Sequence, residues 1–259
     1  MGGSYDGPVV SDAVDILFTA PHPDDLEIGC GGTIALLVKQ GYRVAMVHLT
    51  NGEPTPLGDP ETRVKEMRAA ADILGAQVVE IVGLTNRVLM DGPEARYALA
   101  SVVRKHRPRV LVGIAGRTVA ASPDHYQAQL ITEATRFYSQ LTKWDDRFGG
   151  TPPHRVDHLV YRAIPRSAEI PHFHAQFVVD ISSTIEQKIA AVECYRSQFP
   201  SKRFANLKHY MLSTAGYEGA GGGYDYGELY CMPRPLGVTD MMSLFGKWPL
   251  PSPIDPPKV

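Results

Sequence analysis

A histidine and three carboxylates stand close together near the N-terminus, in the segment PHPDDLE at residues 21–27. The four side chains are those of His22, Asp24, Asp25 and Glu27. Imidazole nitrogens and carboxylate oxygens are common metal ligands, and a carboxylate can also act as a general base. Two prolines limit the backbone freedom of the segment. Taken alone, such a composition is more typical of a solvated acidic turn that begins a helix.

A second polar segment, SPDH at residues 122–125, supplies another aspartate and another histidine. The first segment directly follows an apolar run of the kind that predicts a buried strand, and the second follows the predicted strand at 110–114. In open α/β sheets, ligands bind outside the carboxyl ends of the strands. The two loops are therefore predicted to converge on one crevice, and this convergence favours a functional site over a solvated turn.

His22, Asp25 and His125 would together supply two imidazoles and one carboxylate as metal ligands. Such a set leaves coordination positions open for water, as a catalytic zinc site requires. Ferrous iron accepts the same ligand types, so these residues do not distinguish Zn²⁺ from Fe²⁺. Asp24 lies beside a predicted ligand and need not bind the metal itself. It is therefore predicted to take a proton from a water molecule that the metal has acidified.

The elements that must position these residues are predicted from an alternation of apolar runs and amphipathic stretches. The predicted strands span residues 15–20, 44–49, 78–82 and 110–114, and the predicted helices span 33–40, 60–74, 93–106 and 123–140. Nearly continuous apolar strands joined by helices predict a parallel sheet covered on both faces. We therefore expect an α/β fold with a doubly wound, mostly parallel sheet, Rossmann-like, in a single domain.

The second half of the chain is less regular. Further strands are predicted at 158–164 and 176–181, and a helix is predicted at 183–197 with Ser182 or Ser183 as its N-cap. The glycine-rich residues 216–227 predict a mobile or ligand-facing loop. For the domain organisation we expect an N-terminal arm at 1–14, the domain at 15–248 and a proline-rich tail at 249–259.

The composition excludes several classes of protein. Lys and Arg number 26 against 28 Asp and Glu in 259 residues, which gives a net charge of −2. Nucleic-acid binding and attraction to anionic lipid both need a basic excess. The three cysteines form no CxxC pair, which indicates a reducing compartment. Neither a signal peptide nor an apolar run of roughly 18 residues is evident, so we expect a cytoplasmic protein without an integral membrane segment.

These motifs resemble the PIG-L/LmbE-like deacetylases, zinc-dependent enzymes that remove N-acyl groups from N-acetylglucosamine-type sugars. Residues 21–27 are similar to the signature AHPDDxE, with Pro21 in place of the alanine. The other similarities, in chain order, are Gly31–Thr33, the TxGE loop at 50–53, the helix RVKEMRAAADILG at 63–75, the segment KIAAVECYRSQ at 188–198 and the E-x-aromatic at 228–230. Because they occur jointly and in order, the resemblance is highly specific.

The resemblance implies a hydrolase that removes an N-acetyl group from an N-acetylglucosamine-type sugar conjugate. Carried over residue by residue, it implies that His22, Asp25 and His125 bind Zn²⁺, with Fe²⁺ also possible, and that Asp24 is the general base. Its partner is then a small-molecule or glycoconjugate substrate. Family members often form trimers or hexamers, so a homo-oligomer is expected as well.

The resemblance also implies that Glu53 and Arg63 lie at the sugar-binding rim. For Arg63 a competing role is an ordinary ion pair on the helix surface, with Glu61 or Glu66 as its partner. Substrate contact and a structural role are equally compatible with the sequence for both residues.

One departure from the family concerns its second motif, usually HPDH, which begins here with Ser122. A serine can donate one neutral hydrogen bond but cannot carry the positive charge of a histidine. Another group substitutes, or the metal and the base carry more of the chemistry, or activity has been lost. His172 and His174 are candidates to substitute, although two ordinary loop histidines are the more common case. Asp124 is predicted to orient a neighbouring imidazole.

Three alternatives remain open. A catalytically weakened or inactive sugar-binding protein of the same fold is the main one, motivated by Ser122. The glycine-rich segment at 29–32 invites a nucleotide-binding interpretation, but it lacks GxGxxG spacing and follows an acidic segment. Cys30 could be a reactive thiol at a helix N-terminus, although burial as a small apolar residue is more common. The remaining histidines that we interpret as structural or surface residues are His48, His106, His154, His158 and His209.

Overall fold

The computed structural model describes residues 13–117, 119, 121–164 and 175–244. Its strands are β1 Ile16–Ala20, β2 Val44–Thr50, β3 Val78–Leu84, β4 Val110–Ala115, β5 His158–Ala163, β6 Ala175–Asp180 and β7 Gly227–Met232. Its helices are α1 Asp25–Lys39, α2 Pro60–Leu74, α3 Pro93–His106, α4 Asp124–Tyr138, α5 Ile185–Glu193 and α6 Ser201–Gly222. Short 3-10 helices cover Asp145–Phe148 and Met241–Leu244.

All seven strands form one sheet in the order β3-β2-β1-β4-β5-β7-β6. The pairs from β3 to β5 are parallel, whereas β7 lies antiparallel between β5 and β6. The order of the first five strands is that of a Rossmann-type sheet. The structure thus confirms the predicted α/β fold with a doubly wound, mostly parallel sheet in a single domain.

Helices cover both faces of the sheet, and its central strands β1, β2 and β4 are apolar and almost wholly buried. On one face, α3 and α4 pack over a core that includes Leu17, Val47 and Leu111. On the other, α1, α2 and α5 pack over a core that includes Phe18 and Met46. The helix α6 lies against β6 and β7. This arrangement leaves the carboxyl ends of β1 and β4, which are neighbours in the sheet, free to carry a site.

The predicted start of α1 was wrong by eight residues, since the helix begins at Asp25 rather than Thr33. Glycines disfavour helix on propensity alone, but here packing requires them. A β-carbon on Gly32 would lie only 2.7 Å from the Ile181 side chain. Cys30 therefore lies inside the helix and is fully buried, and burial raises the pKa of its thiol to about 12. These contacts favour the buried structural role for Cys30.

The glycine-rich segment at 216–227 was also predicted wrongly, because α6 extends through most of it to Gly222. A β-carbon on Gly219 would lie 2.7 Å from the backbone nitrogen of Gly227. The glycines allow α6 to approach the start of β7 closely, and they do not mark a mobile loop. The predicted helix at 183–197 is shorter, with Thr184 at its N-cap position.

The predicted arm at 1–14 and the predicted tail at 249–259 lie almost wholly outside the described residues, so both stay predictions. None of the helices that the structure describes is both long and apolar enough to cross a membrane.

Candidate metal centre and active site

The two polar loops meet at the carboxyl edge of the sheet. His22 lies in the turn after β1, Asp25 is the first residue of α1, and His125 lies in the first turn of α4 after β4. Because β1 and β4 are adjacent and parallel, their carboxyl ends bring the three side chains together. The two loops thus lie together in the structure, as the sequence predicted.

One ligand atom from each of His22, Asp25 and His125 lies within 4.8 Å of those of the other two. His125 Nε2 is 2.9 Å from Asp25 Oδ1, and His22 Nδ1 is 3.1 Å from Asp25 Oδ2. Two imidazole nitrogens and a carboxylate oxygen at this separation fit a catalytic divalent metal ion with open positions. The group could therefore hold a metal, and the donors suit Zn²⁺ and Fe²⁺ alike.

Further contacts orient the two imidazoles. His125 Nδ1 donates to the carbonyl oxygen of Ser122 at 3.0 Å, so that Nε2 is the nitrogen turned to Asp25. His22 Nε2 lies 3.3 Å from Asp124 Oδ2, and the same oxygen accepts from the backbone N–H of Arg87 at 2.7 Å. Asp124, whose partner the sequence left uncertain, thus lies against His22. Such outer contacts fix the ring orientation of metal-binding histidines.

Asp24 stands directly before α1 with a φ of 102°, in the left-handed region. Its side chain does not cap the helix but accepts a hydrogen bond from Arg63 Nη2 at 3.0 Å. The same Arg63 nitrogen donates to the carbonyl oxygen of Pro23 at 2.6 Å. Burial raises the pKa of the Asp24 carboxyl, and the neighbouring Arg63 guanidinium opposes part of that rise.

Arg63 is almost fully buried and pairs with Asp24, so the predicted alternative of a surface ion pair was wrong. Glu61 pairs with Lys65, and Glu66 accepts from the backbone and hydroxyl of Ser197. These contacts commit Arg63 to the site rather than to the surface of its own helix.

Permanent charges at the site do not balance. The carboxylates of Asp24, Asp25 and Asp124 lie in contact with one permanent cation, Arg63, and with two histidines. Against the opposing effect of burial, the neighbouring carboxylates raise the pKa of His22 and raise that of His125 to about 9, so protonated imidazoles can supply further positive charge. A divalent cation held by these residues would take the place of those protons. The electrostatics therefore agree with the ligand geometry.

Two residues that support the site were missed in the sequence. Glu27 is fully buried and accepts from the Tyr195 hydroxyl at 2.7 Å, and burial raises the pKa of Glu27 to about 7. The Tyr195 ring in turn lies 5.5 Å from the Arg63 guanidinium. The sequence motif identified Glu27 as an acidic residue but not its contact with Tyr195, because Tyr195 is 168 positions away along the chain.

His48, interpreted from sequence as a residue without a convergent partner, also supports the site. It is fully buried on β2, and its Nδ1 donates to the carbonyl oxygen of His22 at 3.1 Å. Burial lowers the pKa of His48 to about 4, so the ring is neutral at pH 7. The position of His48 in an apolar strand was the feature of the sequence that could have indicated a buried histidine with a hydrogen-bond partner.

Comparison with known proteins identifies the family. The model of the PIG-L family, described as GlcNAc-PI de-N-acetylase, matches residues 17–135, which include both polar loops. The chain belongs to the PIG-L family. A relative in Thermococcus kodakarensis, diacetylchitobiose deacetylase, is 28% identical, and the match covers 84% of this chain and 82% of that protein.

Other comparisons extend this picture. The crystal structure of the conserved protein TT1542 from Thermus thermophilus matches with a TM-score of 0.74 at 34% identity, covering 87% of this chain and 97% of that one. A second curated relative is a 4-oxalmesaconate hydratase from Pseudomonas putida, 27% identical over 70% of this chain and 73% of that protein. The PIG-L fold thus occurs with more than one named activity.

Ser122 stands where PIG-L proteins usually have the first histidine of HPDH. Its side chain is exposed, and its Oγ accepts from the backbone N–H of Asp124 at 3.3 Å. Its carbonyl oxygen, which any residue would supply, is the group that orients His125. His172 and His174, the predicted substitutes, lie outside the described residues.

Glu53, in the loop that resembles the PIG-L TxGE motif, is buried, and its carboxylate accepts from the backbone and hydroxyl of Thr55. The preceding Gly52 has a φ of +75°, and a β-carbon there would lie 3.2 Å from Pro23 and 3.3 Å from Arg63. Only glycine suits this close approach. The loop therefore packs against the backbone that carries Asp24.

Two cavities meet at the site. A smaller cavity of about 160 Å³ is lined by Asp25 and His125 together with residues of β4, β5, α1 and α6. A larger one of about 550 Å³ has Arg117, Ser122, Tyr126 and Gln127 in its lining. His125 and Ala121 line both cavities. A substrate bond at the candidate metal centre would therefore have space on two sides.

Proposed function

We propose that this protein is a metal-dependent hydrolase that removes an N-acyl group, N-acetyl in the simplest case, from an N-acetylglucosamine-type sugar conjugate. The observation that carries the proposal is the grouping of His22, Asp25 and His125 within reach of one ion, with Asp24 held beside them by Arg63. Membership of the PIG-L family and the diacetylchitobiose deacetylase relative support it.

In the proposed reaction, His22, Asp25 and His125 hold the metal, Zn²⁺ or Fe²⁺. The ion, when bound, would acidify a water molecule and polarise the amide carbonyl. Asp24 takes the proton of the attacking water and later returns it to the departing amine nitrogen, so that one carboxylate serves as base and then as acid. Arg63 keeps the Asp24 carboxylate in position through its 3.0 Å hydrogen bond.

The contacts of Asp124 and Ser122 give the imidazoles their orientation. The Asp124 carboxylate contacts Nε2 of His22, and the Ser122 carbonyl oxygen contacts Nδ1 of His125. Each contact fixes the orientation of the ring and leaves its other nitrogen for the metal. We propose that Asp124 is a positioning residue for His22. The missing motif histidine does not affect this framework, because the carbonyl oxygen of Ser122 performs the orientation of His125.

For the sugar, we propose the larger cavity. Its lining includes Tyr126 and the polar side chains of Ser122 and Gln127, which can contact sugar hydroxyls. We propose that Arg63 holds Asp24, because Arg63 is buried and its Nη2 bonds both Asp24 and the carbonyl oxygen of Pro23. Contact of Arg63 with the sugar stays a prediction. Glu53 stays a predicted residue of the sugar-binding rim.

A lyase activity is the second candidate, since one relative is a 4-oxalmesaconate hydratase. A hydratase acting on a carboxylate would need cations turned to the substrate. The two cations that line the smaller cavity, Arg162 and Lys188, are instead paired with Glu218 and Glu228. This pairing supports a neutral group over an anion in the smaller cavity, whereas Arg117 lines the larger one. A sugar-binding protein without turnover is the third candidate.

The experiment that tests the proposal is release of free amine from a panel of N-acetylglucosamine conjugates by zinc-loaded protein, beside its Asp24→Asn variant. We expect turnover that falls by about 10²–10⁴-fold in the variant, as for loss of a general base, with zinc content unchanged by elemental analysis. Asp72→Asn, an exposed aspartate on α2, is the matched control and should retain full activity. Near-normal turnover in Asp24→Asn would contradict the assignment of the base.

From the family resemblance we also propose a homo-oligomer, a trimer or hexamer, which light scattering on the purified protein would test. A monomer at micromolar concentration would contradict that proposal without affecting the reaction.

A further inference from the structure

The smaller cavity begins at the candidate metal centre and extends away from it between the sheet and α6. Its lining includes Asp25 and His125 at one end and the apolar side chains Ile28, Ile114, Met211 and Ala215 beyond them. Met211 and Ala215 lie one turn apart on α6 and are both almost fully buried. Any group that leaves the metal centre in this direction enters an apolar environment.

The two cationic side chains of this lining that lie away from the metal centre, Arg162 and Lys188, do not make the cavity polar. Arg162 forms a double hydrogen bond with the Glu218 carboxylate and also donates to the backbone oxygens of Gly29, Ala163 and Leu229. Lys188 pairs with the Glu228 carboxylate. Each cation is thus neutralised by a buried partner, and neither charge is directed at a ligand in the cavity.

The size of the cavity limits what it can hold. Its volume is about 160 Å³, and an apolar cavity of about 150 Å³ in another protein accepts a six-carbon ring. The methyl group of an acetyl substrate would fill only a small part of this space. An apolar chain of about four to six carbons would fill it, by the same comparison.

We propose that this cavity is an acyl pocket and that the preferred substrate carries a medium-length acyl chain of about four to six carbons rather than acetyl. The inference rests on the proposed hydrolase function. The acyl carbon would lie at the metal centre, the chain in the acyl pocket and the amino sugar in the larger cavity beyond His125. Water adds its oxygen to the acyl carbon, the C–N bond breaks, and the nitrogen takes up a proton. The products are a medium-chain carboxylate and a free amino sugar.

The first test compares N-acetyl-, N-butanoyl-, N-hexanoyl- and N-decanoylglucosamine as substrates of the zinc-loaded protein. Burial of each added methylene should raise kcat/KM by about fourfold. The value should therefore rise from acetyl to hexanoyl by at least tenfold and fall again at decanoyl, which exceeds the pocket. A flat or falling series from acetyl to hexanoyl would overturn the proposal.

Variants of α6 test whether this pocket is responsible. Ala215→Leu fills it and should lower the ratio of hexanoyl to acetyl kcat/KM by at least tenfold, whereas Ala205→Leu, on the exposed side of the same helix, should leave the ratio unchanged. Met211→Ala enlarges the pocket and should move the optimum to longer chains by about two carbons. Thermal unfolding checks each fold. If Ala215→Leu does not fold, Met211→Ala decides alone, and an unchanged optimum overturns the proposal.

Binding measurements test the acyl-pocket proposal separately from the proposed hydrolase function. Calorimetric titration of the zinc-loaded Asp24→Asn variant with the same four compounds should give at least tenfold tighter binding of hexanoyl than of acetyl. Chain-length-dependent binding without turnover by the wild type would support the acyl pocket and reject the hydrolase. Turnover of acetyl, with equal affinity for all chains, would support the hydrolase and reject the acyl pocket.

Discussion

The helix α1 carries a buried cluster of charges at its start and another at its middle, and the two differ in composition. At the start, Asp24, Asp25 and, from α4, Asp124 face two histidines and Arg63. At the middle, Glu228 accepts from the backbone N–H groups of Gly32 and Thr33 at 3.0 Å each. The second cluster also contains Arg162, Lys188 and Glu218.

The middle cluster has two carboxylates and two permanent cations, and each cation has its own carboxylate partner. The cluster at the start has three carboxylates to one permanent cation. Burying a charge is tolerated where a partner compensates it. Permanent charges within the protein balance the middle cluster, whereas the cluster at the start is balanced by protons on its two histidines or by a bound cation. Charge balance, and not burial alone, therefore distinguishes a candidate site from a structural ion pair.

Breaking the balanced cluster should have the largest effect on stability. Lys188→Met leaves the fully buried Glu228 without its cation, and we expect a loss of about 3–5 kcal/mol in the free energy of unfolding. Urea denaturation of the purified variant measures it. The double variant Lys188→Met/Glu228→Gln removes the stranded charge and should recover much of the loss. A single variant as stable as the wild type would refute the structural role of the pair.

Changes in the cluster at the start of α1 should lower metal binding more than they lower stability. His125→Ala removes a proposed ligand, so bound zinc after dialysis, measured by elemental analysis, should fall to a small fraction of the wild-type content. His209→Ala, an exposed histidine on α6, is the control and should bind zinc normally. Full zinc occupancy in His125→Ala would exclude it as a ligand.

A smaller effect on the same cluster is expected for Asp124→Asn. The amide can still contact His22 but no longer offers it a full negative charge, so metal affinity should fall by about 10–100-fold. Competition with a chromogenic chelator measures the affinity. An unchanged affinity would mean that Asp124 serves only the backbone of Arg87, its other partner.

The smallest effect is expected at an ion pair outside both clusters, Glu80 with Lys105 and His106. These partners lower the pKa of Glu80 to about 2. A carboxylate with a lowered folded pKa contributes stability above its unfolded pKa and loses it as pH falls toward about 2. Glu80→Gln should therefore cost about 1 kcal/mol at pH 7, given its partial exposure. Thermal unfolding at pH 7 and pH 2 should give a difference between variant and wild type only at pH 7.

Apart from the start of α1, the elements in the first half of the chain could be predicted from sequence because their patterns are local. Strands such as Val44–Thr50 are continuous apolar runs, and the helix Pro60–Leu74 has a proline near its start and a glycine at its end. The three candidate ligands could be grouped because both loops follow strands of a parallel sheet. That rule needs the order of the elements but no side-chain contacts.

The remainder depended on contacts between distant parts of the chain. The glycines of α1 and α6 oppose helix formation locally, and only packing against Ile181 and Gly227 makes them helical. The roles of Arg63 and Glu27 likewise depend on partners that no spacing rule identifies. Where tertiary contacts outweigh local preferences, a single sequence identifies the type of residue but does not identify the residue that it contacts.

The contacts between the middle cluster and α1 have a consequence for motion. The carbonyl oxygen of Gly29 accepts from Arg162 at 2.6 Å, and the N–H of Thr33, one turn later, donates to Glu228. Unwinding this part of the helix would expose buried ions to water, so the helix cannot fray independently of the sheet. Its amide hydrogens should exchange with solvent deuterium only when the whole domain unfolds. The carboxylates at the start of α1 therefore extend from a helix that the sheet holds in place.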